Sequence, residues 1–152
     1  MIRSLSIAGL CIWAAFSLSL CASDTAVAGE RVFKGPVEAR VLDVLDGDTF
    51  VAEAHVWPDQ FVRVNVRIRG IDTPEMKARC DVERVAARRA REVLAQLLEP
   101  GTVAISNIGS AKYYGRVLAD VITPDGELLA DILVAEGLAR PYQGGHRAGW
   151  CG

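Results

Sequence analysis

The sequence lacks most of what would make a function obvious at first reading. It has no excess of positive charge: 17 Lys and Arg stand against 19 Asp and Glu, a formal net charge of −2. A domain that coats a polyanion non-specifically is usually basic, so any such affinity here has to come from a local site or a bound cation. Lysine is scarce beside arginine, a bias that suits bidentate phosphate contacts and that genomic composition also produces. There are 2 histidines, His55 and His146, and no ligand spacing ties them to the cysteines, which argues against a zinc site. There is no internal repeat and no low-complexity tract, and 152 residues amount to about one domain. The apolar run from Ile7 to Leu20 is short for a membrane span, which needs about 20 residues.

That run has the form of a secretory signal. Arg3 supplies a weak positive start, Ile7–Leu20 carries no charge, and Ala26-Val27-Ala28 offers a small-x-small cleavage site before Gly29. The expectation is a signal peptide over residues 1–28, with an uncleaved anchor as the alternative. The protein would then be exported, to the periplasm or out of the cell, with no stable membrane insertion once the signal is removed. Cleavage removes one charge of each sign, Arg3 and Asp24, and leaves the net charge unchanged. It also removes Cys11 and Cys21. The two cysteines that remain, Cys80 and Cys151, are an even count in an exported chain, which points to a disulfide; two free thiols are the alternative.

Residues 29–36 read as a flexible entry to the domain. Val37 to Leu45 is strand-like, and Asp46-Gly47 is a hairpin signal. Phe50, Ala52, Ala54 and Val56 alternate with Thr49, Val51, Glu53 and His55, giving a second strand, and Trp57 to Gln60 reads as a loop. The third strand alternates strictly: Val62, Val64, Val66 and Ile68 form a core face, with Arg67 beside Asn65 and Arg69 on the other. Asp81 to Leu98 is helical, with Val82, Val85, Ala86, Val93, Leu94 and Leu97 on one stripe, Asp81 as cap and Pro100-Gly101 as stop. Residues 102–108 and 115–122 give two more strands. Pro124-Asp125-Gly126 is a turn, and a short helix from Leu128 to Glu136 ends at Gly137. Three strands, a helix, two strands and a helix do not follow βαβ alternation. The pattern predicts a mainly β domain with attached helices (α+β): an antiparallel five-stranded barrel of the oligonucleotide/oligosaccharide-binding (OB) type.

Three short segments carry the chemistry. Asp46-Gly47-Asp48-Thr49 can aim the Asp48 carboxylate at a cation, although alone it is an ordinary turn. Ile71-Asp72-Thr73-Pro74-Glu75 adds the Asp72 carboxylate, the Thr73 carbonyl as a neutral oxygen, and Glu75 placed to act as a general base. Arg67 and Arg116 are two planar forks suited to one phosphate, and the transfer of a phosphoryl group depends mainly on stabilising charge on its oxygens. Tyr113 can stack on a base or pack, and Tyr114 can hydrogen-bond a phosphate.

Together, Asp46-Gly47-Asp48-Thr49, Arg67, Ile71-Asp72-Thr73-Pro74-Glu75, Tyr114-Gly115-Arg116 and the segment Leu133–Ala139 resemble the staphylococcal nuclease (thermonuclease) family, over residues 37–142. The resemblance implies a five-stranded OB barrel. It implies calcium held by Asp48, Asp72 and the Thr73 carbonyl, Glu75 as base, Arg67 and Arg116 on the phosphate, and Tyr113 and Tyr114 beside the substrate. The activity implied is hydrolysis of DNA and RNA to 3′-phosphate and 5′-hydroxyl ends, by a monomer. Two departures stand out. Tyr113 occupies the position where the family has a lysine, which removes a positive charge. The tail, residues 143–152, is Gly-rich and ends in Trp150-Cys151-Gly152 where the best-known member continues into a helix, so a Cys80–Cys151 bridge is expected to pin this tail to the barrel. The alternative is a binding module on the same barrel that has lost catalysis. It fits less well, because Asp48, Asp72, Glu75, Arg67 and Arg116 are all present.

Overall fold

The computed structural model describes residues 31–99 and 101–151. The expected signal peptide (1–28), with Cys11 and Cys21, lies outside the described residues, as do Gly29, Glu30, Pro100 and Gly152. The element order is β1 (Val37–Val44), β2 (Thr49–Trp57), β3 (Gln60–Ile68), β4 (Ile71–Asp72), α1 (Asp81–Leu97), β5 (Thr102–Ser110), β6 (Arg116–Ile122), α2 (Leu129–Ala135) and β7 (Arg140–Pro141).

Five of the strands close a barrel in the order β1-β2-β3-β6-β5, and β4 and β7 form a separate two-stranded ribbon. This is the α+β, OB-type barrel expected from the sequence. One expectation is corrected: the barrel is not antiparallel throughout, because β3 and β6 run parallel. Strand direction can alternate all the way around a closed ring only if the number of strands is even. A ring of five must contain one parallel pair, and a parallel pair needs a long crossover. Here that crossover runs through α1 and β5.

The core is built from Phe50, Val66, Ile68, Leu94, Ile105, Val121, Leu129 and Leu133, all fully buried. The third strand's apolar face is shorter than its alternation implied: Val66 and Ile68 are buried, but Val62 is 49 % exposed. Val56, across the hairpin, is equally exposed. The β2–β3 hairpin overshoots the barrel, so its tip keeps the two-residue period without a core beneath it. The hairpin turn itself is tighter than the expected four-residue loop. β2 runs through Trp57 and β3 starts at Gln60, with Asp59 at φ 60°.

The stripe expected for α1 holds in the second half of the helix, where Leu94 is buried and Val93 and Leu97 pack against the core, and is corrected in the first half. Its buried positions are Glu83, Ala87, Ala90 and Leu94, whereas Val82 and Val85 are 72 % and 57 % exposed. Small alanines give the helix a close approach to the barrel, and closeness of packing outweighs side-chain hydrophobicity in choosing the face. Asp81 does not cap the helix. Cys80 is the N-cap residue, without a side-chain capping bond, and Asp81 instead pairs with Arg84 one turn on. The Arg91 Nε–H donates to the Val44 carbonyl at 2.8 Å, fastening the helix to the end of β1.

After α2, Gly137 adopts φ 69°, and the N–H groups of Leu138 and Ala139 both return to the Leu133 carbonyl, at 2.9 and 3.1 Å. This glycine-dependent stop turns the chain into β7. There Asp72 faces Arg140 and Ile71 faces Pro141 in the β4–β7 register, and the Tyr142 N–H donates to the Gly70 carbonyl at 2.8 Å. Neither two-residue strand was expected, since neither is long enough to show periodicity. The entry segment expected to be flexible is tied down at Phe33, which exchanges two backbone hydrogen bonds with Ile108. Cys80 and Cys151 are joined as a disulfide, with Cα atoms 5.9 Å apart and a sequence separation of 71.

Candidate active site

The loop between β1 and β2 places Asp48. Gly47 is required there for space, not for an unusual backbone angle. A Cβ at that position would meet the Ala90 Cβ at 2.8 Å and the Thr73 side chain at 3.1 Å. The bare backbone thus lets the Asp48 loop close against both α1 and the loop that carries Thr73. The Asp46 carboxylate accepts the Asp48 N–H at 3.1 Å. Thr49 and Arg67 are cross-strand partners. The Thr49 hydroxyl donates to Asp48 Oδ1 at 2.8 Å, and Arg67 Nη1 donates to the same oxygen at 2.6 Å. Asp48 is 2 % exposed. Burial pushes its carboxyl up to about 6, against the lowering effect of Arg67 and with a further upward push from Asp46. Burial therefore makes ionisation of Asp48 costly, even with Arg67 beside it.

The loop after β3 supplies the second half of the site. Asp72 and Thr73 are 4 % and 3 % exposed, held by the β4–β7 ribbon. Asp72 Oδ2 accepts the Trp150 indole N–H at 3.2 Å. Asp72 Oδ1 lies against Arg147, yet it is buried without a well-directed hydrogen bond. Glu75 is exposed, and its N–H donates to Glu83 Oε1 at 3.1 Å, so the buried acid in the first turn of α1 fixes the backbone of the candidate base. Arg147 also pairs with Glu75 Oε1, and its Nη2 donates to the Thr73 carbonyl at 3.2 Å. Burial alone would lower the Arg147 pKa, but its bonds to Glu75 and Asp72 outweigh that and raise it.

Arg116 opens β6 and lies beside Asn65 of β3 in the parallel register. Its guanidinium sits 4.6 Å from the centre of the Tyr113 ring, and its Nε is buried without a partner. Arg69, in the turn just past the end of β3, is spent differently. It donates to the Asn107 and Leu118 carbonyls at 2.6 and 3.0 Å and pairs with Asp120, stapling the bulge in β5.

One cavity of about 740 Å³ has Asp48, Arg67, Thr73, Glu75, Tyr113 and Arg116 on its walls. Asp72 lies just beneath, covered by Arg147 and Trp150. Tyr114 is not among the lining residues. It is fully exposed and lines a neighbouring shallow pocket with Gly115 and Arg116. The positive charge thought lost at Tyr113 is restored one residue earlier, since Lys112 lines the cavity. Lys112, Arg147, Trp150 and Glu83 are the residues that motif reading missed. The one signal for the tail pair was a charged and an aromatic residue in a Gly-rich stretch next to a cysteine.

Asp48, Asp72 and the Thr73 carbonyl are hard oxygen donors. Two buried carboxylates and a backbone carbonyl are the kind of ligand a hard divalent cation takes. The donor set therefore fits a hard divalent cation. The one group of three potential metal-ligand side chains within 4.8 Å of one another among the described residues, Cys80, Cys151 and Glu83, does not fit a metal, because its two sulfurs are bonded to each other.

The staphylococcal nuclease homologue family model matches residues 65–148. That stretch contains Arg67, Asp72, Thr73, Glu75, Arg116 and Arg147. Two curated relatives, an "Uncharacterized endonuclease" of Escherichia coli and one of Escherichia coli O157:H7, are each 30% identical over 107 residues, which is 70% of this chain and 62% of theirs. The chain thus spans less than two thirds of the length of these relatives.

Proposed function

From the premise that this chain belongs to the staphylococcal nuclease family, we propose that it is an exported, calcium-dependent nuclease. It would cleave DNA and RNA to leave 3′-phosphate and 5′-hydroxyl ends. The observation that carries this reading is the convergence of Asp48, Arg67, Thr73, Glu75 and Arg116 on one cavity, with Asp72 directly below. These residues come from four separate places in the sequence, and an OB barrel does not by itself bring a base, two phosphate forks and an oxygen-donor cluster together.

Asp48, Asp72 and the Thr73 carbonyl would hold the cation. When bound it supplies electrophilic stabilisation of the charge on a non-bridging phosphoryl oxygen. Arg67 and Arg116 orient the phosphate from β3 and β6. Arg116, on the cavity wall, contributes to stabilising the charge that builds on the phosphoryl oxygens. Tyr113 backs its guanidinium and limits the orientations it can take. Glu75 takes a proton from the attacking water as that oxygen bonds to phosphorus. The P–O5′ bond then breaks, and the 5′ oxygen leaves with its electron pair and is protonated from solvent. Lys112 and Arg147 add positive charge to the cavity rim of a protein that is acidic overall, which supports local capture of a polyanion.

The test is to incubate the mature chain with single- and double-stranded DNA and RNA, in calcium or in excess chelator, and to determine the end groups. Cleavage confined to calcium, with 3′-phosphate ends, is the expected result. Undiminished cleavage in chelator would remove the metal from the account.

A further inference from the structure

The oxygens around the candidate metal site are already engaged by a cation belonging to the chain itself. The guanidinium of Arg147 pairs with Asp72 and with Glu75 and donates to the Thr73 carbonyl. Two of these groups belong to the proposed donor set, and the third is the proposed base. Arginine keeps its charge at any relevant pH, and its donors are spread in a flat fork that suits several oxygens at once.

Arg147 is delivered there by a fastened tail. On its N-terminal side, the Tyr142 hydroxyl donates to the Gly145 carbonyl at 2.8 Å. On its C-terminal side, the Trp150 ring lies 3.7 Å from the Arg140 guanidinium, whose Nη1 donates to the Gly149 carbonyl at 3.0 Å. The Trp150 indole N–H is bound to Asp72 itself, and Cys151 is bonded to Cys80 at the start of α1. A group tethered on both sides competes for its partners as a ligand at high effective concentration.

We infer that Arg147 is a built-in competitor for the divalent cation: the tail's guanidinium stands among the metal's oxygens when no ion is bound, and loading the ion requires it to withdraw. This inference rests on the metal reading of the site given above. The physical reason is that a guanidinium and a dication seeking the same oxygens repel each other and cannot share one ligand shell. The exchange has room to occur. The Arg147 side chain is 37 % exposed and lines the open cavity, so it can swing away from Asp72 without unfolding the tail. The disulfide and Trp150 then set how readily the tail yields, and the concentration of cation needed to activate the protein becomes a property of its last residues.

The experiment is calorimetric titration with calcium chloride of the wild-type mature chain, Arg147→Gln and Cys151→Ser, with melting temperatures measured in chelator and in saturating calcium. Arg147→Gln keeps the length and polarity of the side chain and removes its charge. It should bind calcium at least tenfold more tightly than wild type, with Cys151→Ser falling in between. In chelator, Arg147→Gln should melt lower than wild type, because Asp72 and Glu75 have lost their counter-charge. At saturating calcium the difference should close. A purely structural role for Arg147 would instead lower both melting temperatures alike and leave calcium affinity unchanged or weakened, and that result overturns the inference. If neither wild type nor variant binds calcium, the metal reading and the competitor fall together. If both bind it equally, the competitor alone falls.

Discussion

Asp48→Asn should make the metal-free protein more stable at pH 8 while abolishing its calcium binding. The Asp48 side chain is 3 % exposed, and although it pairs with Arg67 its carboxyl is pushed up from 3.8 to about 6 by burial. A raised carboxyl means that the folded state holds the proton more tightly than the unfolded state. The stabilising contribution of the protonated form is present below about pH 4 and is lost as pH rises from there through about 6. Above that window, the ionised group costs the fold about 3 kcal/mol, from roughly two pKa units at 1.36 kcal/mol each. Asparagine removes the charge and keeps an oxygen for the Thr49 hydroxyl and the Arg67 fork. Allowing for an imperfect amide fit, about half of that figure should appear as added stability. The assay is urea unfolding followed by tryptophan fluorescence in chelator, at steps from pH 5 to pH 8. The variant's advantage should be largest at pH 8, fall to about half of that at pH 5, and extrapolate to zero only near pH 4, where the carboxyl of the unfolded chain is protonated too. A variant less stable than wild type at pH 8, or an advantage independent of pH, would refute the reasoning. A site that gives up stability to keep a buried charge ready for a ligand is the usual form of the trade between stability and function.

Other outcomes follow from the same geometry. Gly47→Ala should destabilise the protein by roughly 1–3 kcal/mol, as overpacking does, because its new methyl meets Ala90 and Thr73. Calorimetry should show that loss together with weaker calcium binding, and an unchanged melting temperature would contradict the close approach. Cys151→Ser opens a loop of 71 residues, which chain-entropy arguments value at about 4 kcal/mol. It should melt well below wild type under oxidising conditions, and a reducing agent should bring wild type down to match. Arg116→Ala should slow single-turnover cleavage by ~100-fold or more, as for other lost preorganised donors. Tyr113→Ala should cost only severalfold, of the order of one cation–π contact; equal effects from the two would mean that Tyr113 touches substrate directly.

What was legible in the sequence was whatever repeats or clusters locally. The alternation along β3 and the Asp-Gly and Pro-Asp-Gly turns located the barrel strands within a few residues. Asp48, Arg67, Thr73, Glu75 and Arg116 were legible because they sit in short motifs of unusual chemistry, and the barrel does gather them on one cavity. Long-range closeness was not legible. The face of α1 was legible in its second half, at Val93, Leu94 and Leu97, but not in its first, because valine is more apolar than alanine while the barrel selects for small residues where Gly47 and Ala90 nearly touch. The parallel β3–β6 pair follows from ring closure, which no single strand displays. Tyr114 was grouped with the site by sequence adjacency, yet successive residues need not face the same way, and it points out to solvent. Arg147 reaches across 72 and 74 residues to Glu75 and Thr73, and a lone arginine between glycines carries no mark of that destination. The disulfide could be proposed from the cysteine count, but its consequence, a tail laid over the carboxylates, needed coordinates.

The central claim is that this cavity hydrolyses phosphodiesters with Glu75 as the base. The most direct test is single-turnover cleavage of end-labelled single-stranded DNA by the wild-type mature chain and by Glu75→Gln, both saturated with calcium and shown by calorimetry to bind it. The account predicts a fall in rate of ~100-fold or more, with the fold and calcium binding intact. Near wild-type cleavage by Glu75→Gln would contradict it.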